Sequence, residues 1–262
     1  MPTNVTVKVE DGIGWVILRR PDTRNAVDPG FVEEAIGALD EVPADAGALV
    51  LAAEGPAFCV GADLNMFHGA TSSGRVDEDL TPLLVAMHVI VRKIRALPMP
   101  TVTAVEGTAA GAGVGLACAS DLRVVGESTV FVPAFGAIGL SPDSGTSFHL
   151  TRALGSVGAN ATFLRNRKIG AFELLTCGLA DEVAPDGEVW DTAQRLAGEV
   201  AGTVSPAALL ATRRLIDSAT THTFDEHLDA EEASIRSLWN GPDVAEGVAA
   251  FVERRRPKFG AR

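Results

Sequence analysis

Positive charge is scarce in this sequence. Lysine and arginine number 22 against 34 aspartates and glutamates, a formal net charge of −12. No basic stripe is present that would displace counterions from a phosphate backbone, which argues against nucleic acid as a partner. Cysteine is scarce too. Cys59, Cys118 and Cys177 are odd in number, irregularly spaced and set among apolar or small residues. That pattern argues against a disulfide framework or a zinc site and predicts buried free thiols. No apolar run approaches the roughly 20 residues that cross a bilayer, and no basic-then-apolar signal peptide opens the chain. No P-loop, dinucleotide fingerprint or metal-ligand spacing occurs. The expectation is a soluble, cytoplasmic protein without metal or resident cofactor.

What is present is ordinary globular composition, 47% hydrophobic and 21% charged over 262 residues, enough for one large core with an appendage. Val5, Val7 and Val9 alternate with polar residues, and Asp11-Gly12 then turns the chain into Trp15-Val16-Ile17-Leu18, a strand–turn–strand signal. Asp28-Pro29 with Glu33 and Glu34 predicts a helix over 29–41. The runs 48–53 and 101–105 read as buried parallel strands, so the chain alternates strands with helices in the manner of an α/β fold. Thr71-Ser72-Ser73-Gly74 reads as a loop and 81–96 as an amphipathic helix ended by Pro98 and Pro100. From about residue 186 the texture is helix after helix. Ser205-Pro206 starts one, Thr223 to Glu226 reads as a capping box, and Gly241-Pro242 separates the last two.

Two glycine-bearing turns stand out: Phe58-Cys59-Val60-Gly61-Ala62-Asp63-Leu64, and Gly107-Thr108-Ala109-Ala110-Gly111-Ala112-Gly113-Val114-Gly115. Each follows a buried-strand signal, and the second opens an Ala-rich stretch that reads as a helix beginning at Gly111. Such turns can aim two backbone N–H groups at one oxygen, the geometry that stabilises charge developing on a carbonyl.

With these turns the chain resembles the crotonase (enoyl-CoA hydratase/isomerase) superfamily. Further markers follow in family order: Arg20-Pro21-Asp22-Thr23-Arg24-Asn25-Ala26, Asp121-Leu122-Arg123-Val124-Val125, Ile138-Gly139-Leu140-Ser141-Pro142-Asp143-Ser144-Gly145, Gly178-Leu179-Ala180-Asp181-Glu182-Val183, and Phe251-Val252-Glu253-Arg254-Arg255. The resemblance implies an α/β spiral of ββα units over 1–200. A helical C-terminal region over 201–262 would assemble homotrimers or dimers of trimers. It implies an acyl-CoA thioester as substrate, with coenzyme A entering only as part of it. The N–H groups of Ala62 and Ala112 fall on the oxyanion positions, the latter provided its φ is negative. Arg24, Ala26, Gly61, Asp63, Leu64 and Gly111 fall at positions that flank the ligand. Lys258 is placed to contact nucleotide phosphates, or is a solvated surface lysine.

The departures bear on the reaction. The two glutamates of the family's hydratases align with Gly115 and Phe135, neither of which transfers a proton. Hydration is therefore disfavoured. Asp143 stands where the family's isomerases carry an acid, and Phe135 would dry the pocket and raise its pKa. The alternative for Asp143 is an N-cap of the helix that follows. Asp63 is read chiefly as bonding local backbone, His88 chiefly as a packed or half-exposed residue with the lining of an acyl pocket as its alternative, His149 as structural, and Glu106, Asp121 and Glu127 as acids for packing and backbone bonding. The expected activity is double-bond isomerisation of an enoyl-CoA. An atypical hydratase and a non-catalytic acyl-CoA-binding protein remain as alternatives.

Overall fold

The computed structural model describes residues 3–259; 1–2 and 260–262, the ends of the two expected regions, lie outside them. Strands β1 (Val5–Glu10) and β2 (Ile13–Leu18) pair antiparallel across Asp11-Gly12, whose φ angles of 50° and 76° are both left-handed. A two-residue turn of that hand matches the twist of its strands.

From β2 onward the larger sheet is parallel. It continues through β3 (Ala48–Ala53), β5 (Thr101–Val105), β7 (Leu122–Gly126) and β10 (Glu182–Ala184), in the order β1-β2-β3-β5-β7-β10. Helices cover both faces, which is why β2 and β3 are buried at every residue and read as unbroken apolar runs. A smaller sheet holds the short strands β4 (Ala57–Cys59), β6 (Thr108–Ala110), β8 (Val130–Val132) and β9 (Ile169–Gly170), in that order. Long strand, short strand and helix recur: β3, β4, then α2 (Leu64–Ser73) and α3 (Val76–Ala96); β5, β6, α4 (Ala112–Ala117); β7, β8, α5 (Thr146–Leu164). This is the expected α/β spiral of ββα units.

One face of the larger sheet packs on α1 (Pro29–Glu41) and α3, with Phe31, Leu49, Ile90 and Leu116 fully enclosed. Each such side chain contributes roughly 1.5–3 kcal/mol. Across the other face runs α7 (Val189–Val200), placing Val189, Ala193 and Ala197 against Ile13, Val50 and Val102. Between α5 and α7 lies the short α6 (Ala171–Thr176). All three cysteines are free; burial pushes the thiols of Cys59 and Cys118 up to about 12 and about 11.

After residue 200 come α8 (Pro206–Ser218), α9 (Phe224–Leu238) and α10 (Pro242–Glu253). Ser205 caps α8, and the capping box of Thr223 and Glu226 opens α9 as the sequence predicts. Arg213 ties α8 to the core. Buried to 8% exposure, it donates to both Asp121 oxygens and to the carbonyls of Arg95, Leu97 and Met99. Beyond that anchor packing thins. α9 buries none of its side chains, and Phe224, Trp239, Val248 and Phe251 stand exposed.

Local expectations shift in two places. Thr71, Ser72 and Ser73 form the last turn of α2 rather than a loop, because Gly74 adopts a left-handed C-cap (φ 72°) and returns its N–H to Ala70 and Thr71. α3 begins at Val76 rather than near 81. Asp77, Glu78 and Asp79 favour its N-terminal end, and Pro82 sits on its solvent-exposed side.

Candidate active site

The two glycine turns meet. Gly61 has φ +80°, and a β-carbon there would lie 2.9 Å from the Ala110 oxygen and 3.3 Å from the Ala112 nitrogen. Glycine is what lets these backbones touch. Val27 bonds to the residues on either side of Ala62, donating to the Gly61 carbonyl (2.8 Å) and accepting from the Asp63 amide (3.0 Å). In such a parallel bridge the N–H of Ala62 itself faces away from Val27. Ala112 is the first residue of α4 in right-handed geometry, so its N–H is one of the unshared amides of a helix start. The helix thus begins one residue later than expected, with Gly111 (φ 53°, ψ −126°) as its N-cap. Among the described residues, neither amide has a hydrogen-bond acceptor.

Both alanines line one cavity of about 420 Å³. Its walls are largely apolar: Phe67 from α2, one face of α3, and Phe135 and Leu140 from the segment before α5. Asp143 lines it too, and is its only carboxylate among the described residues. Asp143 does not cap the next helix. α5 has Gly145 at its N-cap and no side-chain cap bond; Asp143 contributes only its carbonyl, which accepts from Thr146 N–H at 2.8 Å. Its Oδ1 is buried without a hydrogen-bond partner. Burial pushes the Asp143 carboxyl above the usual aspartate range, and the adjoining Ser144 hydroxyl and the charge of His88 oppose this without prevailing.

Neither Gly115 nor Phe135, the positions expected to match the hydratase glutamates, is an acid. Phe135 is buried in the cavity wall. Gly115 lies under the Asp143 turn, where any β-carbon would stand 2.3 Å from the Ser144 oxygen.

The other expected residues fall outside this wall. Gly61 and Gly111 shape the backbone behind it. Arg24 is exposed and left-handed (φ 54°), while Ala26 is buried and accepts from Arg20 Nη1 at 2.6 Å. Asp63 caps α2, accepting from Asn65 N–H at 2.8 Å, which is the local bonding expected of it, and Leu64 is 57% exposed. Lys258 sits in an exposed cluster with Glu246 and Arg255, its amide donating to Glu246 at 2.7 Å. Glu106 and Asp121 bond backbone, as expected, at Gly187 and Thr101. His149 lies off the cavity wall. Burial first, then Arg123, Arg95 and Arg152, lowers its pKa to about 4.

His88 takes the alternative of its two expected roles. It lines the cavity, and its Nε2 accepts the Ser144 N–H at 3.4 Å. The signal was in the sequence: Val76, Leu80, Leu83, Leu84, Met87 and His88 recur at three- and four-residue spacing on one face of α3.

A sequence model described as Enoyl-CoA hydratase/isomerase matches residues 8–262. The chain belongs to that family. Among relatives, the 1,2-epoxyphenylacetyl-CoA isomerase of Escherichia coli (strain K12) is 33% identical over 253 residues, covering 96% of each chain. The trans-2-decenoyl-acyl-carrier-protein isomerase of Streptococcus mutans is 30% identical, covering 97% of each. Among solved structures, an enoyl-CoA hydratase from Polaromonas sp. JS666 superposes with a TM-score of 0.89 at 31% identity, covering 97% of this chain and 99% of that one. The enoyl-CoA hydratase/isomerase family therefore includes this chain over nearly its whole length, within the crotonase superfamily. Among the described residues, no helix is long and apolar enough to cross a membrane.

Proposed function

We propose that the protein isomerises the double bond of an enoyl-CoA, with Ala62, Ala112 and Asp143 as the catalytic groups. One observation carries this reading: among the described residues, the one carboxylate lining an apolar cavity with two free amides caps no helix, and its Oδ1 is buried without a hydrogen-bond partner. The thioester oxygen accepts from both N–H groups, which strengthen their hold as it gains charge. For a 3-enoyl thioester, Asp143 takes the C2 proton and the electron pair spreads over the alkene and thioester as a dienolate. The same proton returns at C4, giving the 2-enoyl thioester, so no water, metal or redox partner enters. A carboxyl raised above the usual aspartate range is better matched to both transfers than an ordinary aspartate.

Hydration is less well supported, since activating water and handling the α-proton call for a second acid and the cavity has one. The binding-only alternative requires Asp143 to be occupied in a cap, and it makes no such bond. We also propose that the exposed apolar surface of α9 and α10 is covered by further copies in a homotrimer or dimer of trimers, and that Lys258 meets the nucleotide phosphates. The deciding experiment is turnover of 3-enoyl-CoA against hydration of 2-enoyl-CoA. Isomerisation with negligible hydration is expected; hydration at a typical hydratase rate would overturn the reading.

A further inference from the structure

Ser144 is held where serine is poorly suited. Residues 143–146 close a tight turn, Thr146 N–H to Asp143 carbonyl at 2.8 Å, with φ of +51° at Ser144 and +82° at Gly145. Left-handed central positions favour glycine or asparagine. Ser144 is nonetheless 2% exposed, and its hydroxyl, like the neighbouring Asp143 Oδ1, has no hydrogen-bond partner among the described residues. Two adjacent buried polar atoms in this condition, one at a strained position, mark a place where stability is given up for something else.

The backbone around that hydroxyl is fixed from two sides. The Ser144 carbonyl packs on Gly115, and the Ser144 amide donates to His88 Nε2. Neither contact uses the hydroxyl, although the Ser144 β-carbon also packs on Gly115. Glycine at 144 would keep both and relieve the turn.

We propose that Ser144 is the positioning residue of the proton shuttle, its hydroxyl turning to donate to the Asp143 carboxylate when that group is ionised and releasing it when Asp143 carries the substrate proton. The proposal rests on the proton-transfer role given to Asp143 above. A hydroxyl that donates to the charged form alone limits how far burial lifts the carboxyl. Ser144 lies next to the carboxylate and favours its charged form, the first influence to oppose burial there. The other titratable group facing Asp143 is His88 on α3; α2, the start of α4 and the 135–142 segment present none to the cavity.

The test is Ser144→Gly and Ser144→Ala, with two readouts. In kcat against pH, the acid limb is expected to move up by about one pH unit in both variants. KM should stay within about twofold and kcat should recover at high pH. Infrared difference titration, with Asp143→Asn subtracted, reads the same carboxyl without substrate and should move by the same amount. If Asp143→Asn abolishes turnover while both Ser144 variants keep the wild-type limb and titration, the positioning role is overturned by itself. If the titration moves in both variants but Asp143→Asn leaves turnover intact, the hydrogen bond stands. It is then the proton-transfer reading that falls, and the shuttle role with it. A purely structural serine predicts a more stable Ser144→Gly with neither readout changed.

Discussion

A β-carbon on Gly115 would stand 2.3 Å from the carbonyl oxygen of Ser144. The Asp143 turn thus rests on bare backbone at position 115. The glycine there and the presence of Asp143 in the cavity are linked by packing, since a side chain at 115 and this turn compete for one volume.

Gly115→Ala should accordingly destabilise the protein by about 1–3 kcal/mol through overpacking, and lower isomerase turnover more than it raises KM. Urea unfolding and steady-state kinetics measure both. Gly115→Glu should not install hydratase activity. A Gly115→Ala variant as stable and active as wild type would show that the turn yields easily.

Asp143→Asn should lower kcat for 3-enoyl-CoA by on the order of 10²-fold or more, with acyl-CoA affinity nearly unchanged. Asparagine keeps the shape but accepts no proton at neutral pH. Unchanged turnover would move the chemistry to another base.

The same variant should also change stability with a definite sign. Because the Asp143 pKa is raised from 3.8, between 3.8 and the folded value the native state holds a proton that the unfolded state has lost. Stability contributed by this group therefore falls as pH rises through that window and stays lower above it. Asp143→Asn should thus raise Tm relative to wild type at pH 7–8, with the difference fading as pH drops below the window. Calorimetry at two pH values checks it; a constant difference would contradict the assignment.

Gly61→Ala should disturb both proposed oxyanion donors at once, since its methyl meets Ala110 and Ala112 and its φ is positive. A fall in kcat of about 10²-fold is expected, comparable to loss of one donor, together with a lower Tm. Wild-type kcat in a folded Gly61→Ala protein would argue that these amides do not hold the substrate oxygen.

Arg213→Ala should cost about 3 kcal/mol, because it strands a half-buried carboxylate and three carbonyls, and Arg213→Lys should recover little of it. The Asp121 carboxyl is held below its usual range: burial acts upward, but Arg213 and Thr101 outweigh it. A depressed carboxyl adds stability that is present above 3.8 and lost as pH falls toward its folded value. The Arg213→Ala defect should therefore shrink in acid, as thermal unfolding at pH 7 and pH 3 would report.

The strands, caps and turns of this protein follow from neighbours in the chain, which is why sequence alone determined them. Asp11-Gly12 must turn, Asp28-Pro29 and Thr223 with Glu226 must start helices, and Gly61 and Gly111 supply conformations that side chains oppose. The absence of acids at 115 and 135 was equally plain, and Asp143 could be singled out with two roles open. Tertiary packing placed Asp143 in the cavity wall and out of the α5 cap, because whether a carboxylate caps a helix or enters a cavity depends on what encloses its turn. It also brought His88 to the Ser144 amide across 56 residues and set Ser144 on Gly115. Such contacts arise where separate elements compete for the same space, and no spacing along the chain encodes that competition.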